Sequence, residues 1–515
     1  MHRKLLLSVS AFILLLVILC DNYFNELLFR FPSGIHEWGQ ADRLALAFNF
    51  YDNGMNLFLP STYSQYSVNG ITGVEFPVQS YLAAAIARIN GRQYISINFR
   101  LLDTLISCCG LLALFLTGFR ATRDFIYSLV APVFIFCAPV FVFYTCNYLP
   151  DTASSSLVFI AFYFLFDYLP EKKLRPLFIA LVFLTLATLI KTSSGIYLTG
   201  VTGFAILQFI KRRDKQSLRG ILSFVSVTVV CILAVVAYYF YNQYLNEKYH
   251  STLFLSKIQP FRDMQEFRDY QNKYFKVQWI KEYLAYPEYL FFPMLFAASL
   301  TFLRRDQPAR MRFYLFLIFL AGALLMAYLV GHQLLLHDYY VICIFFPLLA
   351  FGLLTAMISI AREADSSVSA KRALRTALAT GMLFIIFFGN FQVSQRISPD
   401  YQPHSQWYRS PWMEGGAKTL ERLGIPRQEK LLVLNEYAPN LGLTYFDRKG
   451  YHLFPETWDG DIRIVEQFMK EHHVRYMVME SSGANELMQI NPGIFSSFRI
   501  LSNDRAAVLE IKDPH

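Results

Sequence analysis

Eleven separate apolar runs leave this chain little choice of fold. They cover residues 5–20, 95–119, 126–145, 152–169, 175–191, 195–210, 219–241, 288–303, 313–330, 339–361 and 373–391. Each is roughly 16–25 residues long, the length that carries a helix across a bilayer. Hydrocarbon offers no water to a backbone N–H or C=O, so a continuous apolar segment must close its own hydrogen bonds as a helix. Only 17% of the residues are charged, against about 25% in soluble domains. The expected fold class is therefore an all-α polytopic membrane protein with about eleven transmembrane helices. The first run follows His2-Arg3-Lys4 and is not followed by a small-residue cleavage site, which predicts an uncleaved signal-anchor.

Orientation follows from the short loops. With the N-terminus in the cytoplasm, alternation puts RATRD (120–124), PEKKLRP (170–176), KRRDKQSLR (211–219), RRDQPARMR (304–312) and AREADSSVSAKRALR (361–375) inside. All are rich in Lys and Arg, whereas the outside loops CNYLPD (146–151) and GHQLLLHD (331–338) carry none, as the positive-inside rule requires. The net charge of +9 is thus mostly a topology signal and gives a nucleic-acid partner no support.

Three longer segments then fall outside: 21–94, 242–287 and 392–515. The last changes character, with strand-like LLVLN (431–435), YMVM (476–479) and AAVLEI (506–511) alternating with helix-like stretches such as 461–473. The expected organisation is a transmembrane catalytic domain over 1–391 and a small extracytoplasmic α/β domain over 392–515. All seven Cys lie in or beside the apolar runs, so no disulfide framework is expected.

The outer segments hold the chemistry. In HEWGQADRLALAFNFYDNG (36–54), Leu44, Ala47, Phe48 and Tyr51 recur at helical spacing and Asn53-Gly54 stops the run. This predicts an amphipathic juxtamembrane helix with Glu37 just before it and Asp42 at its start. An acidic residue there could simply complement the helix dipole. A second such helix is expected in EFPVQSYLAAAIARING (75–91). Ionisable groups also mark the outer ends of the spans: Asp151 after Pro150, Lys191 opening KTSSG, and His337-Asp338-Tyr339-Tyr340. A charge at the centre of a membrane helix costs roughly 2.5–3.5 kcal/mol, less at its edge. Such residues on one face predict a polar, water-reachable cavity under two amphipathic helices. A carboxylate there can accept a hydroxyl proton, and a Lys, an Arg or a divalent cation can hold a phosphate as it leaves. Outside the cell an activated sugar must arrive on a lipid phosphate.

Together, the acidic motif of the first outer loop, the helix led by Glu75-Phe76-Pro77, Asn98-Phe99-Arg100-Leu101, Pro150-Asp151, Lys191 and HDYY (337–340) resemble the GT-C glycosyltransferases related to protein O-mannosyltransferases and lipid A aminoarabinose transferases. The resemblance covers about residues 1–391, and YFDRKGYHLF (445–454) resembles the small soluble domain of some bacterial members. It implies a polyprenyl-phosphate monosaccharide donor, transfer with inversion, and a lipid A, envelope glycan or protein acceptor. Trp38-Gly39-Gln40-Ala41-Asp42 matches a bacterial motif, which makes Asp42 the expected base and Glu37 the second carboxylate. Glu75 stands where the aminoarabinose transferases carry a phosphate-contacting Lys. That departure shifts the phosphate role to Lys191, Arg100 or Arg43. Asp151 corresponds to a residue that positions acceptor or metal, and His337, Asp338 and Tyr339 are expected at the donor phosphate or a cation. A divalent metal is a possible cofactor, with Glu37, Asp42, Asp151 and His337 as candidate ligands. The expected location is the bacterial cytoplasmic membrane, since IKDPH at the end of the sequence is no retention signal. Two competing readings are an O-antigen polymerase or ligase, which would use an Arg-rich outer loop, and a flippase for lipid-linked sugars, which would show internal repeats.

Overall fold

The structure is a computed structural model. It describes residues 2–171, 173–211, 218–254, 258–300, 307–364, 367–399, 410–490, 493 and 497–512. Parts of the basic loops 170–176, 211–219, 304–312 and 361–375 therefore lie outside the described residues, as do parts of the outer segments 242–287 and 392–515.

Among the described residues, all eleven apolar runs fall largely on helices. Among the described residues eight helices are long and apolar enough to cross a membrane: Arg3–Phe24, Arg92–Thr122, Asp151–Pro170, Thr192–Lys211, Leu218–Tyr249, Pro308–Leu329, Tyr340–Glu363 and Val368–Ile397. The run 126–145 is a pair, Phe125–Cys137 and Pro139–Thr145, bent by 76°. Pro139 causes the break: its ring bars the preceding residue from the helical region, and Ala138 is extended at φ −71°, ψ 119°. Leu174–Ile190 and Glu288–Leu300 are apolar but shorter.

The chain divides into two compact units. The first comprises Met1–Leu28, Arg100–Phe240 and Ser256–Ser398, and the second Phe29–Phe99, Tyr241–Leu255 and Pro399–His515. The first is a helical bundle whose core holds Phe162, Tyr197, Phe319 and Phe351, all buried, with ring centroids 5.0–6.1 Å apart. Pro347 lies inside the helix Tyr340–Ala364. One turn of that helix is completed by a side chain: the Leu348 N–H donates to the Tyr197 hydroxyl (3.1 Å), which donates to the Ile344 carbonyl (2.6 Å). A hydroxyl inserted beside a proline is a recognised way to satisfy the ladder.

The second unit joins two surface helices to a five-stranded sheet. The helices are Glu37–Asp52 and Val78–Asn90. The strands are β1 (Leu431–Leu434), β2 (Gly450–Leu453), β3 (Tyr476–Glu480), β4 (Phe498–Asn503) and β5 (Ala506–Ile511), in the order β2-β1-β3-β5-β4. β1 runs parallel to β2 and β3, and β5 antiparallel to β3 and β4. The three strand-like stretches of the sequence are β1, β3 and β5, and 461–473 holds the helix Ile462–Glu471. β2 and β4 escape the sequence pattern.

The sheet edge is extended by the first outer segment. The Gly450 N–H donates to the Tyr63 carbonyl (3.0 Å), and the Gln65 N–H to the Gly450 carbonyl (2.8 Å). A Cβ at Gly450 would lie 1.9 Å from the Leu431 carbonyl oxygen, so only glycine fits between that strand and this loop. Gly450→Ala is expected to destabilise this unit by about 1–3 kcal/mol, the usual cost of overpacking, read as a lower thermal midpoint in detergent.

Candidate functional site

The surface helix begins five residues earlier than its apolar spacing suggests, at Glu37, and ends before Asn53. Glu37 therefore lies in the first turn and Asp42 in the second. The helix-dipole explanation fits Glu37 but not Asp42, because the effect fades within a turn. The helix is also more enclosed than an interfacial one needs to be: its Gln40, Ala41, Arg43, Leu44 and Phe48 are all buried. Its neighbours within the unit are the helix Val78–Asn90 and the short helix Leu441–Phe446 of the tail.

Both candidate carboxylates receive hydrogen bonds from the tail. The Ser410 hydroxyl donates to Glu37 Oε2 (2.9 Å), and the Asn440 amide Nδ2 donates to Asp42 Oδ1 (2.8 Å). Burial pushes the Asp42 carboxyl up to about 6, against the downward pull of the Asn440 amide and the Arg43 guanidinium. Arg43 and Glu75 form an ion pair, and the Arg43 guanidinium lies 4.9 Å from the Phe254 ring centroid. Glu75, where the resemblance implies a phosphate-contacting Lys in relatives, thus faces a cation of this chain. A cavity of about 330 Å³ is lined by His36, Glu37, Trp38, Glu436, Tyr437 and their neighbours.

An ion network at the other end of the surface helix involves residues that sequence reasoning missed. Arg92 contacts Asp52 (3.0 Å) and Asp447 (2.8 Å), and Arg427 contacts Asp52 (2.5 Å) and Asp447 (2.9 Å). The Tyr63 hydroxyl donates to Asp447 (2.6 Å). Burial works to raise the Asp52 carboxyl, but the two guanidiniums outweigh it and hold it below the ordinary range.

In the first unit, Asp151 is fully buried at the start of the helix Asp151–Glu171. Lys191 breaks the chain out of Leu174–Ile190, extended at φ −148°, ψ 112°. Its Nζ lies 3.7 Å from Asp151 Oδ1, and 4.7 and 5.4 Å from the ring centroids of Tyr340 and Tyr339. Sequence positions 151, 191 and 339–340 thus meet around one ammonium group. His337 stacks at 5.5 Å on Tyr339. Asp338 accepts from the Tyr144 hydroxyl (2.7 Å) and pairs with Arg396, which also pairs with Glu282. Arg100 donates to the Tyr148 hydroxyl (3.0 Å) and the Cys146 carbonyl, which ties down the loop leading to Pro150-Asp151. Arg396 and Glu282 carried no signal in the sequence beyond lying near the outer ends of apolar runs.

Among the described residues no group of three or more His, Cys, Asp or Glu side chains is placed to hold a metal ion.

Residues 75–240 match the family model described as dolichyl-phosphate-mannose-protein mannosyltransferase. Among solved structures, ArnT from Cupriavidus metallidurans in the apo state is similar over 97% of this chain and 98% of that one, at 12% identity and a TM-score of 0.59. The same protein bound to undecaprenyl phosphate is similar over the same shares, at 11% identity and a TM-score of 0.60. No curated protein matches the sequence. The chain is a multi-pass membrane protein with the GT-C fold, similar to the PMT- and ArnT-like glycosyltransferases.

Proposed function

We propose that this protein transfers a monosaccharide from a polyprenyl-phosphate donor to a hydroxyl-bearing acceptor, at the outer face of a bacterial cytoplasmic membrane. The observation that carries the reading is the placement of Asp42 on an enclosed helix, its Oδ1 accepting from the buried Asn440 amide (2.8 Å), where burial pushes the carboxyl up to about 6. A general base works best with a pKa near the operating pH. Support for the donor comes from the family match over 75–240 and from the likeness in fold to a protein that binds undecaprenyl phosphate. The basic loops of the sequence support the orientation.

Asp42 takes the acceptor hydroxyl proton as the acceptor oxygen bonds to the anomeric carbon. The bond from that carbon to the phosphate oxygen breaks, and its electron pair leaves with the polyprenyl phosphate. Attack opposite the leaving group inverts the anomeric centre. Lys191 is assigned to the leaving phosphate, whose growing negative charge an ammonium group stabilises best in a poorly hydrated setting. Asp151 and the Tyr339 and Tyr340 rings hold that ammonium in place.

The test is transfer from radiolabelled polyprenyl-phosphate sugars by purified protein, with diphosphate-linked oligosaccharides and vesicle flipping as parallel assays. Transfer from the monophosphate donor supports the reading. Polymerisation of the diphosphate donor, or flipping without transfer, overturns it. Lys191→Ala is expected to lower kcat about 10²–10³-fold, the scale of losing one transition-state charge partner. Lys191→Arg should recover part of that loss, and single-turnover rates measure both.

A further inference from the structure

We propose that two residues of the tail, Asn440 and Ser410, are positioning residues of the transfer reaction, orienting the carboxylates of Asp42 and Glu37. The proposal rests on the functional reading above, and it gives the tail a role in turnover.

The geometry at Asn440 has one solution. Its Oδ1 accepts from the Ser64 backbone N–H (2.9 Å), a group that can only donate, so Nδ2 must be the atom that faces Asp42. Asn440 is fully buried, and a buried amide with both ends engaged cannot turn. Its bond to Oδ1 restrains the rotation of the carboxylate and occupies one of the lone pairs on that oxygen. The choice of amide matters chemically. A Lys or Arg in its place would hold Asp42 equally firmly but would weaken it as a base, whereas a neutral donor orients the group at smaller cost to basicity.

The element that carries Asn440 is itself held at both ends. Asn440 precedes the helix Leu441–Phe446, and Asp447 follows it in the left-handed region at φ 51°. Asp447 joins the Arg92, Arg427 and Asp52 network, so the short helix is tied to the surface helix at positions ten residues apart, about 15 Å of helix. Gly442 lets this helix sit directly on β1, since a Cβ there would come within 2.7 Å of the Val433 side chain. Ser410, also buried, supplies the donor to Glu37 from a separate segment of the tail. A tail serving only as a cover needs none of these donors to end on the two carboxylates.

The experiment measures kcat and KM with labelled lipid-linked sugar for full-length Asn440→Ala, Ser410→Ala and Ser410→Thr beside Asp42→Asn. Misplacing a reacting group by about 1 Å costs on the order of 10²-fold. Asn440→Ala is accordingly expected to lower kcat about 10–100-fold, with the KM for donor within about twofold, the pattern of an interaction made in the transition state. Ser410→Ala should lose about 3–10-fold in kcat, and Ser410→Thr, which keeps the hydroxyl, should restore most of it. The serine pair keeps the proposal testable should Asn440→Ala fail to fold. If both alanine variants keep wild-type kcat while Asp42→Asn is inactive, or if Ser410→Thr loses as much as Ser410→Ala, the positioning role is overturned and the functional reading stands. If Asp42→Asn itself transfers sugar at the wild-type rate, the reading beneath the proposal fails instead.

Discussion

Asp42→Asn is expected to lose transfer activity by about 10²–10⁴-fold, the usual contribution of a general base, while the protein becomes more stable. The two effects share one cause. Burial raises the carboxyl from an ordinary 3.8 to about 6 because the ionised form is poorly solvated. An acid whose folded pKa is raised contributes stability in its protonated form. That contribution is complete below about pH 4 and is lost as pH climbs through about 6. At pH 7.5 the wild type therefore carries a cost on the order of 2–3 kcal/mol for keeping Asp42 ionised. Asparagine is neutral and can still accept from Asn440, so it removes the cost and keeps the shape. Thermal midpoints in detergent should rise for Asp42→Asn at pH 7.5 and match wild type near pH 4. In the wild-type enzyme kcat/KM should fall about tenfold per pH unit below about 6 and level off above it. A flat profile from pH 4.5 to 8, or an active and less stable Asp42→Asn, would remove Asp42 as the base.

The second large effect lies in the first unit and is structural. Arg396 is 1% exposed, pairs with both Asp338 and Glu282, and has its guanidinium 4.9 Å from the Phe143 ring centroid. Arg396→Met removes the cation and leaves two buried carboxylates facing each other. Breaking a buried ion pair from one side typically costs about 3–5 kcal/mol, because a charge is stranded without water or partner. The variant is expected to lose that much, seen as a sharp fall in folded yield and thermal midpoint. Adding Asp338→Asn and Glu282→Gln should restore most of it, since the neutral triple variant strands no charge. Failure of the triple variant to recover would mean that the arginine acts through packing and not through its pairs.

How much of this was legible beforehand depends on the range of the interactions. The membrane bundle could be read directly, since each apolar run satisfies its backbone within itself and needs no knowledge of its neighbours. The break at Ala138-Pro139 is equally local, although the sequence reading took 126–145 as one span. Strands β1, β3 and β5 announced themselves as apolar runs, whereas β2, with glycine and histidine among its four residues, and β4, with arginine, serine and asparagine among its six, did not. The candidate carboxylates stood out because charge beside a membrane is expensive. Their partners did not: Asn440 and Ser410 are ordinary polar residues of a soluble domain, nearly four hundred positions from Asp42 and Glu37.

Residue chemistry and spacing determined that this chain spans a membrane and roughly where its long helices run, and they named the acids and bases that stand as candidates. Tertiary structure alone decided that Asp42 sits in the second turn of an enclosed helix with a tail amide on one oxygen, that Arg43 faces Glu75, and that Lys191 meets Asp151. The division is physical. Helix formation in lipid is dictated by hydrogen bonds four residues apart, whereas basicity and charge pairing depend on burial and on donors that folding brings from anywhere in the chain.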